Sequence, residues 1–339
     1  MNVIVIGGTG FIGRHVVKRL LDADCRVLVF HRGKTDQDTK GPAESITGDR
    51  KKLADQRSEF QKFGPDLVID LIAFTEDDAN SLVETFKGIA ERLILISSMD
   101  VYRNYGLFLK LESSESNRIP ITEKSKLRSI FYPYRSMAKD KAALLFNYDK
   151  IPVEQIVLDA KYLSGTVLRL PKIFGIGDHK HYLHEYVKRM KDGREYILLD
   201  KKHAEWIWTR GYVENVADAI TLCTVDKRAT DQIFNVGDIA SFSESEWVTK
   251  IGRQYGWDGR VLTVAQNELP KHLQTEYDYD YHLEVNSDKI RRELGFKNRI
   301  SIDNALEKTI EWELEHQSKD FDVNHFDYTA EDKVIEKHK

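Results

Sequence analysis

Three glycines near the amino terminus have the spacing of a phosphate-binding turn. The segment GGTGFIG places Gly7, Gly10 and Gly13 between an apolar run and an amphipathic stretch. Glycine at these positions allows a tight turn, close approach of the backbone to a pyrophosphate, and close packing of the following helix. The free N–H groups at the start of that helix attract phosphate oxygens. We therefore predict a dinucleotide cofactor bound by these glycines together with Phe11 and Ile12.

Charged residues after the next two predicted strands bear on which dinucleotide is bound. The second strand ends in FHRG, with His31 and Arg32 where a carboxylate would hold a ribose diol, and Lys34 is close by. The guanidinium fork of an arginine matches the oxygens of a 2′-phosphate, so we predict NADP(H), with NAD(H) as the alternative. Asp49 is a candidate for the adenine, or equally a solvated loop acid. Leu71, after the fourth strand, is a further candidate cofactor contact.

Hydrophobic periodicity indicates the elements that must position these residues. NVIVIG, RVLVFH, SITGD, DLVIDLIAF and RLILISS are typical of strands, and RHVVKRLLDAD and NSLVETFKGI of helices between them. This alternation predicts an α/β fold, a Rossmann-type doubly wound parallel sheet with right-handed crossovers. Residues 103–145 are polar and poorly periodic, as expected for a lid, a binding loop or a flexible insertion. A helix near 147–159 follows, and Ser301 is the N-cap candidate of a late helix.

Composition limits the class of protein. The 339 residues are 41% hydrophobic and 31% charged with a net charge of −4, which allows a sizeable core and gives no general affinity for nucleic acid or anionic membranes. The two cysteines, Cys25 and Cys223, lie beside hydrophobic residues, which favours buried thiols over a disulfide. We see no leader and no apolar run long enough to span a bilayer, so we expect a soluble, cytoplasmic protein.

The order of several motifs points to a known family. GGTGFIG, ISSMDVY, KIPVE and LRLPKIFGIGD follow one another, and WTRGYVENVADAI, IFNVG and NSDKIRRELGF extend the similarity to about residue 316. In these motifs the sequence resembles the extended short-chain dehydrogenase/reductase superfamily. Within this superfamily it resembles the NAD-dependent epimerase/dehydratases, and also the atypical branch that includes plant chloroplast stem-loop-binding proteins.

The resemblance implies a smaller C-terminal α/β substrate lobe, with the site between this lobe and the sheet. We divide the chain into three parts on this basis. They are a dinucleotide-binding domain (1–170, with the insertion at about 103–145), a mainly substrate-binding lobe with some return to the first domain (171–316), and a polar tail (317–339).

The resemblance also implies a catalytic serine, tyrosine and lysine. Hydride transfer at a carbinol carbon must be matched by proton transfer at its oxygen, which the family tyrosine performs while the serine holds that oxygen. The lysine, four residues after the tyrosine, lowers its pKa and holds the nicotinamide ribose. ISSMDVY aligns Ser98 with the serine. For the lysine we prefer Lys150, also a cofactor contact, to Lys139. This choice leaves Phe146, which has no hydroxyl, at the tyrosine position.

Other tyrosines could supply the missing hydroxyl. Tyr148 lies two residues beyond Phe146, roughly 200° around a continuous helix, so it reaches the site only if the helix begins later. Tyr132 and Tyr134 could fold back from the insertion, and Tyr102 is close to the serine in sequence. We name Tyr148 as the third catalytic candidate, beside the serine and the lysine.

The segment WIWTRGYV supplies the candidates for substrate binding. In the family the arginine of this segment often reaches a substrate phosphate, which implies that role for Arg210. Trp206 and Trp208 alternate and so share one face of a strand, where they stack on a substrate ring or fill core. Of the two, we name Trp208 as a substrate contact. GIGDHKHYLHEY contains several histidines without a partner at a known metal spacing, so we predict no metal.

Two functions stay open. The first is an NADP(H)-binding epimerase/dehydratase- or reductase-like enzyme for a sugar or nucleotide-sugar-like small molecule, a class compatible with a homodimer. The second is a catalytically impaired dinucleotide-binding regulator, or an RNA-associated protein, on the same fold. Phe146 and the stem-loop-binding resemblance favour the second function. Ser98, Lys150 and Arg210 favour the first, as does the net charge of −4, which opposes nonspecific RNA binding. We expect no membrane partner.

Overall fold

The structure, a computed structural model, describes residues 1–33, 43–316 and 323–339. Within these ranges the strands are β1 (Asn2–Ile6), β2 (Arg26–His31), β3 (Glu44–Thr47), β4 (Leu67–Asp70), β5 (Arg92–Ser98), β6 (Ser164–Leu170), β7 (Lys172–Phe174), β8 (Tyr196–Asp200), β9 (Ile207–Trp208), β10 (Arg210–Tyr212), β11 (Ile233–Asn235), β12 (Phe242–Ser243) and β13 (Arg260–Val264). The α-helices are α1 (Phe11–Asp22), α2 (Arg57–Phe63), α3 (Glu76–Phe86), α4 (Arg103–Phe108), α5 (Leu144–Asn147), α6 (Lys150–Leu158), α7 (His184–Lys191), α8 (Lys201–Glu205), α9 (Val213–Val225), α10 (Glu244–Tyr255), α11 (Asp288–Leu294), α12 (Ile302–Glu315) and α13 (Tyr328–His338).

The central sheet has seven strands in the order β11–β6–β5–β4–β1–β2–β3, all parallel. Successive residues of β1 face opposite sides, as the period of a strand requires. Val3 and Val5 pack in the layer that contains α1 and α9, whereas Ile4 and Ile6 pack in the layer that contains α3 and α6. A parallel sheet covered on both faces confirms the predicted α/β, doubly wound fold.

The strand order reverses between β1 and β4. The chain runs outward from β1 through β2 to β3, and then crosses to β4 and continues through β5 to β6. In such sheets ligands bind in the crevice outside the carboxyl ends of the strands at this reversal. The phosphate turn follows β1 and Ser98 ends β5, so the fold brings both to the same edge of the sheet.

The C-terminal half forms small sheets of its own and also returns to the central one. β7 pairs with β10, β8 with β13 and β9 with β12, while β11 joins β6 at the edge of the central sheet. Ser301 caps α12, since its Oγ accepts a hydrogen bond from the Asn304 N–H at 3.3 Å. Both cysteines are buried free thiols. In the described ranges no helix is long and apolar enough to cross a membrane.

The helix predicted near 147–159 begins only at Lys150 and ends at Leu158. Asp149 has an extended backbone and accepts a hydrogen bond from the Ile151 N–H at 2.9 Å, so it acts as the N-cap. The residues before it form the separate short helix α5. The chain therefore changes direction just before Lys150, and this break decides which aromatic side chain enters the site.

The insertion is fixed to the rest of the molecule by buried polar contacts. The Arg128 guanidinium forms an ion pair with Asp149 at 2.9 Å, and neither side chain is exposed to solvent. The Tyr132 N–H donates to the other oxygen of Asp149 at 2.7 Å. Earlier in the insertion, the Ile121 N–H donates to the Glu284 carbonyl at 2.8 Å, and the Ile121 carbonyl accepts from the Asn286 N–H at 2.7 Å. The insertion consequently covers the site and contacts both halves of the chain.

The described part of the polar tail is also packed against the protein. Glu331 of α13 is fully buried and binds Arg189 at 2.6 Å, with His272 at 3.1 Å. The buried Glu331 carboxylate thus has the Arg189 guanidinium as its partner, as a buried charge requires. Residues 317–322 lie outside the described residues.

Candidate active site

The turn after β1 requires glycine for steric reasons. Gly7 has a φ of +83°, which is a left-handed conformation, and its N–H donates to the Phe30 carbonyl at 2.9 Å. A Cβ on Gly13 would lie 2.3 Å from the Gly7 carbonyl oxygen, so only glycine allows α1 to pack this close to β1. The spacing seen in the sequence therefore corresponds to a real constraint on the backbone.

The start of α1 offers free donors to an anion. The helix begins at Phe11, Gly10 lacks a side chain that could cap it, and the first intrahelical bond is that of the Arg14 N–H to the Gly10 carbonyl. The N–H groups of Phe11, Ile12 and Gly13 thus have no helical acceptor. They fit the pyrophosphate of a dinucleotide, as predicted for this turn.

The predicted adenosine contacts lie at the ends of β2, β3 and β4. His31 is buried, its Nδ1 accepts from the Gly33 N–H at 3.0 Å, and its Nε2 has no partner among the described residues. Arg32 is exposed and makes no ion pair within the described ranges. Asp49 caps a short 3₁₀ helix by accepting from the Lys51 N–H at 3.0 Å, the loop role that the sequence left open.

Two other cofactor candidates complete this region. Leu71 follows β4, is half-buried against the core, and donates its N–H to the Ile6 carbonyl at 3.1 Å. Its position beside the phosphate turn is compatible with a contact to the cofactor. Lys34 lies outside the described residues.

A cavity of about 450 Å³ opens at the carboxyl ends of β5 and β6. Phe11 at the start of α1 lines one side, which joins the cavity to the predicted cofactor site. The polar groups that line it include Ser98 from β5, Tyr134 from the insertion and Tyr148 from the segment before α6. Trp208 lines the far side, as its candidate role requires, whereas Trp206 is buried and stacks on Phe108.

Tyr148 reaches the cavity because α6 begins late. Its hydroxyl donates to Asp100 Oδ2 at 2.9 Å, and Ser98 is a second hydrogen-bond partner. Burial raises the pKa of Tyr148 well above 10, and the Asp100 charge raises it further, while Ser98 lowers it. Tyr148 is therefore a neutral phenol at physiological pH. Ser98 also accepts from the Asp100 N–H at 3.1 Å, so it fixes the loop after β5.

Asp100 is the central acceptor of this site, and the sequence analysis missed it. The Tyr134 hydroxyl lies 3.1 Å from Asp100 Oδ2 and 3.0 Å from the Tyr105 hydroxyl, so two tyrosine hydroxyls contact one oxygen of Asp100 and a third tyrosine joins through Tyr134. Burial raises the pKa of Asp100, against the lowering effects of Arg128, Tyr148 and Lys150. Its presence in ISSMDVY, two residues after Ser98, was the signal available in the sequence.

Lys150 lies beside this cluster, below the cavity. Its ammonium donates to the carbonyls of Ala73 at 2.7 Å and Ile96 at 2.9 Å. Burial lowers the pKa of Lys150 to about 8, although Asp70 and Asp100 act in the opposite direction. The Phe74 ring contacts both Lys150, at 4.7 Å, and Tyr148, at 5.9 Å.

Phe146 does not occupy the position that the four-residue spacing predicted. It belongs to α5, and its ring contacts the Arg135 guanidinium at 4.7 Å instead of lining the cavity. The reason is the break at Asp149, which separates Phe146 from α6. Tyr132 also lies elsewhere, with its hydroxyl bound to Glu76, and Tyr102 is buried against Asn235.

Arg210 is not brought to the cavity. Its guanidinium is buried, forms an ion pair with Glu244, and donates to the Trp208 carbonyl at 3.1 Å. The Arg210 and Lys172 charges lower the pKa of Glu244 to about 2 against the effect of burial, so this carboxylate is ionised. The charge of Arg210 is thus already compensated, and the phosphate-binding role that the resemblance implies for it stays a prediction.

The histidines after β7 are used in other ways. His181 Nδ1 lies 2.7 Å from Glu313, and His179 lines the cavity. In the described ranges no group of three or more His, Cys, Asp or Glu residues could hold a metal ion.

Comparison with known proteins agrees with this architecture. The chain is 22% identical over 99% of its length to chloroplast stem-loop binding protein of 41 kDa b from Arabidopsis thaliana, covering 84% of that protein. Its fold matches that of a UDP-glucose 4-epimerase from Thermotoga maritima solved with UDP-glucose, at 18% identity over 93% of this chain and 99% of the other, with a TM-score of 0.70. It also matches a dTDP-glucose 4,6-dehydratase from Bacillus anthracis in complex with NAD, at 17% identity over 93% and 97% of the two chains, with a TM-score of 0.69.

A family model decides the assignment, because it matches most of the chain, including the phosphate turn, most of the residues that line the cavity and the strands of the central sheet. The match covers residues 3–237. The chain belongs to the NAD dependent epimerase/dehydratase family.

Proposed function

We propose that the protein is an NADP(H)-dependent epimerase/dehydratase- or reductase-like enzyme that acts on a sugar, in the form of a nucleotide sugar. The observation that carries the proposal is the Tyr148 hydroxyl, which lies in the cavity with Ser98 and Asp100 at the edge of the predicted cofactor site. Two fold neighbours whose names include UDP-glucose and dTDP-glucose support the substrate class.

The bound dinucleotide supplies hydride exchange at a carbinol carbon. The chain's own part is the proton at the neighbouring oxygen. With a substrate oxygen held by Ser98, the Tyr148 hydroxyl takes that proton while it passes its own proton to Asp100 Oδ2. The raised pKa of Tyr148 favours this relay over a stored phenolate, and the raised pKa of Asp100 makes it a better proton acceptor than an exposed carboxylate. The reverse sequence delivers a proton to a carbonyl oxygen.

Lys150 sets the charge of this site. With a pKa of about 8, its ammonium is mostly protonated at pH 7 and stabilises the Asp100 carboxylate. Its carbonyl partners at the ends of β4 and β5 hold it beside the predicted nicotinamide position. The pair of Arg128 and Asp149 holds the insertion and the start of α6 in place around it.

Conversion of nucleotide sugars tests the proposal. We would incubate the full chain with NADP⁺ or NAD⁺ and with UDP-glucose, UDP-galactose, UDP-glucuronic acid and dTDP-glucose, and follow products by NMR. Conversion of at least one of these sugars, faster with NADP⁺, is the expected result. Absence of conversion with both cofactors would contradict an active site for this substrate class.

A second candidate function is a dinucleotide-binding regulator or RNA-associated protein. The relative named as a chloroplast stem-loop binding protein favours it. The net charge of −4 opposes nonspecific RNA binding. Fluorescence anisotropy with a stem-loop RNA at low and moderate salt separates the two candidates. Tight RNA binding without sugar conversion would establish the second.

Three further properties belong to this proposal. They are the division at residues 170 and 316, a homodimer, and a cytoplasmic location. Limited proteolysis tests the first, because cleavage should concentrate near the two boundaries. Light scattering of the purified chain tests the second, and fractionation of the source cells tests the third.

A further inference from the structure

Lys172 lies next to Arg210, but its charge has a different environment. The two residues are register partners on the parallel strands β7 and β10. Arg210 is paired with Glu244, whereas Lys172 makes no hydrogen bond or ion pair with any of the described residues. Its ammonium lies 4.3 Å from the Tyr182 ring and 4.7 Å from the Trp208 ring. The side chain is thus held in place by aromatic faces, with its donors unused.

The Lys172 side chain also marks the junction of two cavities. Together with Trp208, it lines both the catalytic cavity and a second cavity of about 230 Å³ in the C-terminal half. Aromatic side chains, among them Tyr277 and Tyr279, form much of the second cavity. A ligand with its sugar beside Tyr148 and its other end in the second cavity would have to pass Lys172.

We propose that Lys172 binds the anionic phosphate group of the substrate, and so determines specificity for phosphorylated sugars over neutral ones. The inference rests on the proposed function and extends it to the residue that recognises the charged part of the substrate. An ammonium in a half-buried site without an acceptor is poorly compensated, and a phosphate oxygen supplies both the charge and the acceptors.

Other cations near the junction are less suited to this role. Arg210 is paired with Glu244, and Arg189 with Glu331. Lys180 lines the catalytic cavity but is exposed at its rim, where solvent screens its charge.

The acids near Lys172 do not exclude an anion, because each has its own partner. Glu244 is bound by Arg210 and by the Tyr186 hydroxyl at 2.8 Å. Glu185 lies 3.6 Å from His325. Asp178 accepts hydrogen bonds from the Lys180 N–H at 2.9 Å and the Tyr182 N–H at 3.2 Å. Burial lowers the pKa of Lys172 and the Arg210 charge lowers it further, whereas the three acids raise it. Among the described residues, the acids near Lys172 therefore leave its ammonium donors without an acceptor.

Calorimetric titration in saturating NADP⁺ tests the role of Lys172. The probes are UDP and glucose 1-phosphate, with uridine and glucose as uncharged counterparts, so that a phosphate from a nucleotide and one from a sugar are separated. The variants are Lys172→Met, which keeps the length of the side chain, Lys172→Arg, which keeps the charge, and Lys180→Met as the matched control. Melting temperatures show that the variants fold.

We expect wild-type protein to bind at least one phosphorylated probe more tightly than its uncharged counterpart. Lys172→Met should lower the affinity for that phosphorylated probe by roughly 10- to 100-fold, as for a lost charge-assisted hydrogen bond. The affinity for the uncharged probe should not change. Lys172→Arg should retain most of the affinity, and Lys180→Met should change it by less than about fivefold.

If Lys172→Met loses affinity for UDP alone, the nucleotide diphosphate is the source of the anion. If it loses affinity for glucose 1-phosphate alone, the sugar phosphate is the source. Unchanged affinity of Lys172→Met for both, or no preference of wild type for charged probes, would overturn the inference. These outcomes do not depend on turnover. A protein that fails to convert sugars but shows the Lys172 effect contradicts the proposed reaction and leaves this inference standing.

Discussion

The phosphate turn and the catalytic cavity are built in different ways. The turn is one contiguous segment, residues 7–13, and offers backbone N–H groups whose positions follow from local geometry. The cavity takes its polar side chains from the end of β5, from the insertion and from the segment before α6. Those segments meet through buried charges, above all the pair of Arg128 and Asp149.

This difference predicts how each region responds to change. A contiguous backbone site tolerates substitution until a side chain enters the space of the ligand or of the turn. A site assembled through a buried ion pair depends on both partners, because one charge left alone in the interior is costly. Substitutions that disrupt the cavity should therefore also lower the free energy of unfolding strongly. Substitutions in the phosphate turn should reduce cofactor binding with a smaller loss of stability.

The largest effect on stability is expected for Asp149→Asn. Asparagine still caps a helix, so the change mainly leaves the Arg128 charge uncompensated, and unfolding should become easier by about 3–5 kcal/mol. Urea denaturation measures the loss, and Arg128→Met combined with Asp149→Asn should recover part of it. Lys62→Met, in the exposed pair with Glu59, is the control and should stay within about 0.5 kcal/mol. Equal effects of Asp149→Asn and Lys62→Met would show that the buried pair does not hold the insertion.

The phosphate turn should fail at Gly13→Ala with a smaller change in stability. The new Cβ would lie 2.3 Å from the Gly7 carbonyl oxygen, so the turn must move, at a cost of roughly 1–3 kcal/mol. Dinucleotide binding measured by calorimetry should fall more than 100-fold, roughly the loss of two charge-assisted contacts. Gly10→Ala, whose Cβ would lie 3.3 Å from the same oxygen, should cost less stability than Gly13→Ala, while its methyl group also narrows the approach to the pyrophosphate. Tight binding by Gly13→Ala would remove the turn from the cofactor site.

The pH dependence of turnover should report on Lys150. Because its pKa is about 8, the ammonium that stabilises the Asp100 carboxylate is lost as the pH rises through this value. Turnover should therefore fall roughly tenfold between pH 7 and pH 9. Tyr148 stays protonated throughout, since its pKa lies well above 10. Lys150→Met should be slow and lack this decline, and a decline that persists in the variant would assign it to another group.

The smallest effect concerns the choice of cofactor. Arg32→Ala should lower the affinity for NADP⁺ by roughly 10-fold and leave the affinity for NAD⁺ unchanged, because only the 2′-phosphate contacts the guanidinium. Arg26→Ala, at the other end of β2, is the matched control. Equal affinities of the wild type for the two dinucleotides would place the phosphate preference elsewhere.

Much of the fold could be predicted because it depends on local periodicity. The alternation of strands and helices before β6, and the glycine spacing, require no information from distant residues. The position of Tyr148 could not be predicted in this way. It depends on where α6 begins, and Asp149 caps the helix while it binds Arg128, 21 residues earlier in sequence.

The environment of Arg210 also could not be predicted from local sequence. Its segment matches the family pattern, but its partner Glu244 lies 34 residues away, so the sequence motif does not reveal that its charge is compensated. The polar tail is a further case. Its polar composition predicts a segment exposed to solvent. Glu331 is nevertheless buried, because Arg189, 142 residues earlier, supplies the opposite charge.

In the proposed mechanism Tyr148, and not the residue four positions before Lys150, transfers the proton. Turnover of wild type, Tyr148→Phe, Phe146→Tyr and Tyr132→Phe on any sugar that the wild type converts tests it most directly. Tyr148→Phe should lower kcat by about 10²–10⁴-fold with cofactor binding intact, and the other two variants should stay close to wild type. A large gain in Phe146→Tyr, or full activity in Tyr148→Phe, would contradict the account.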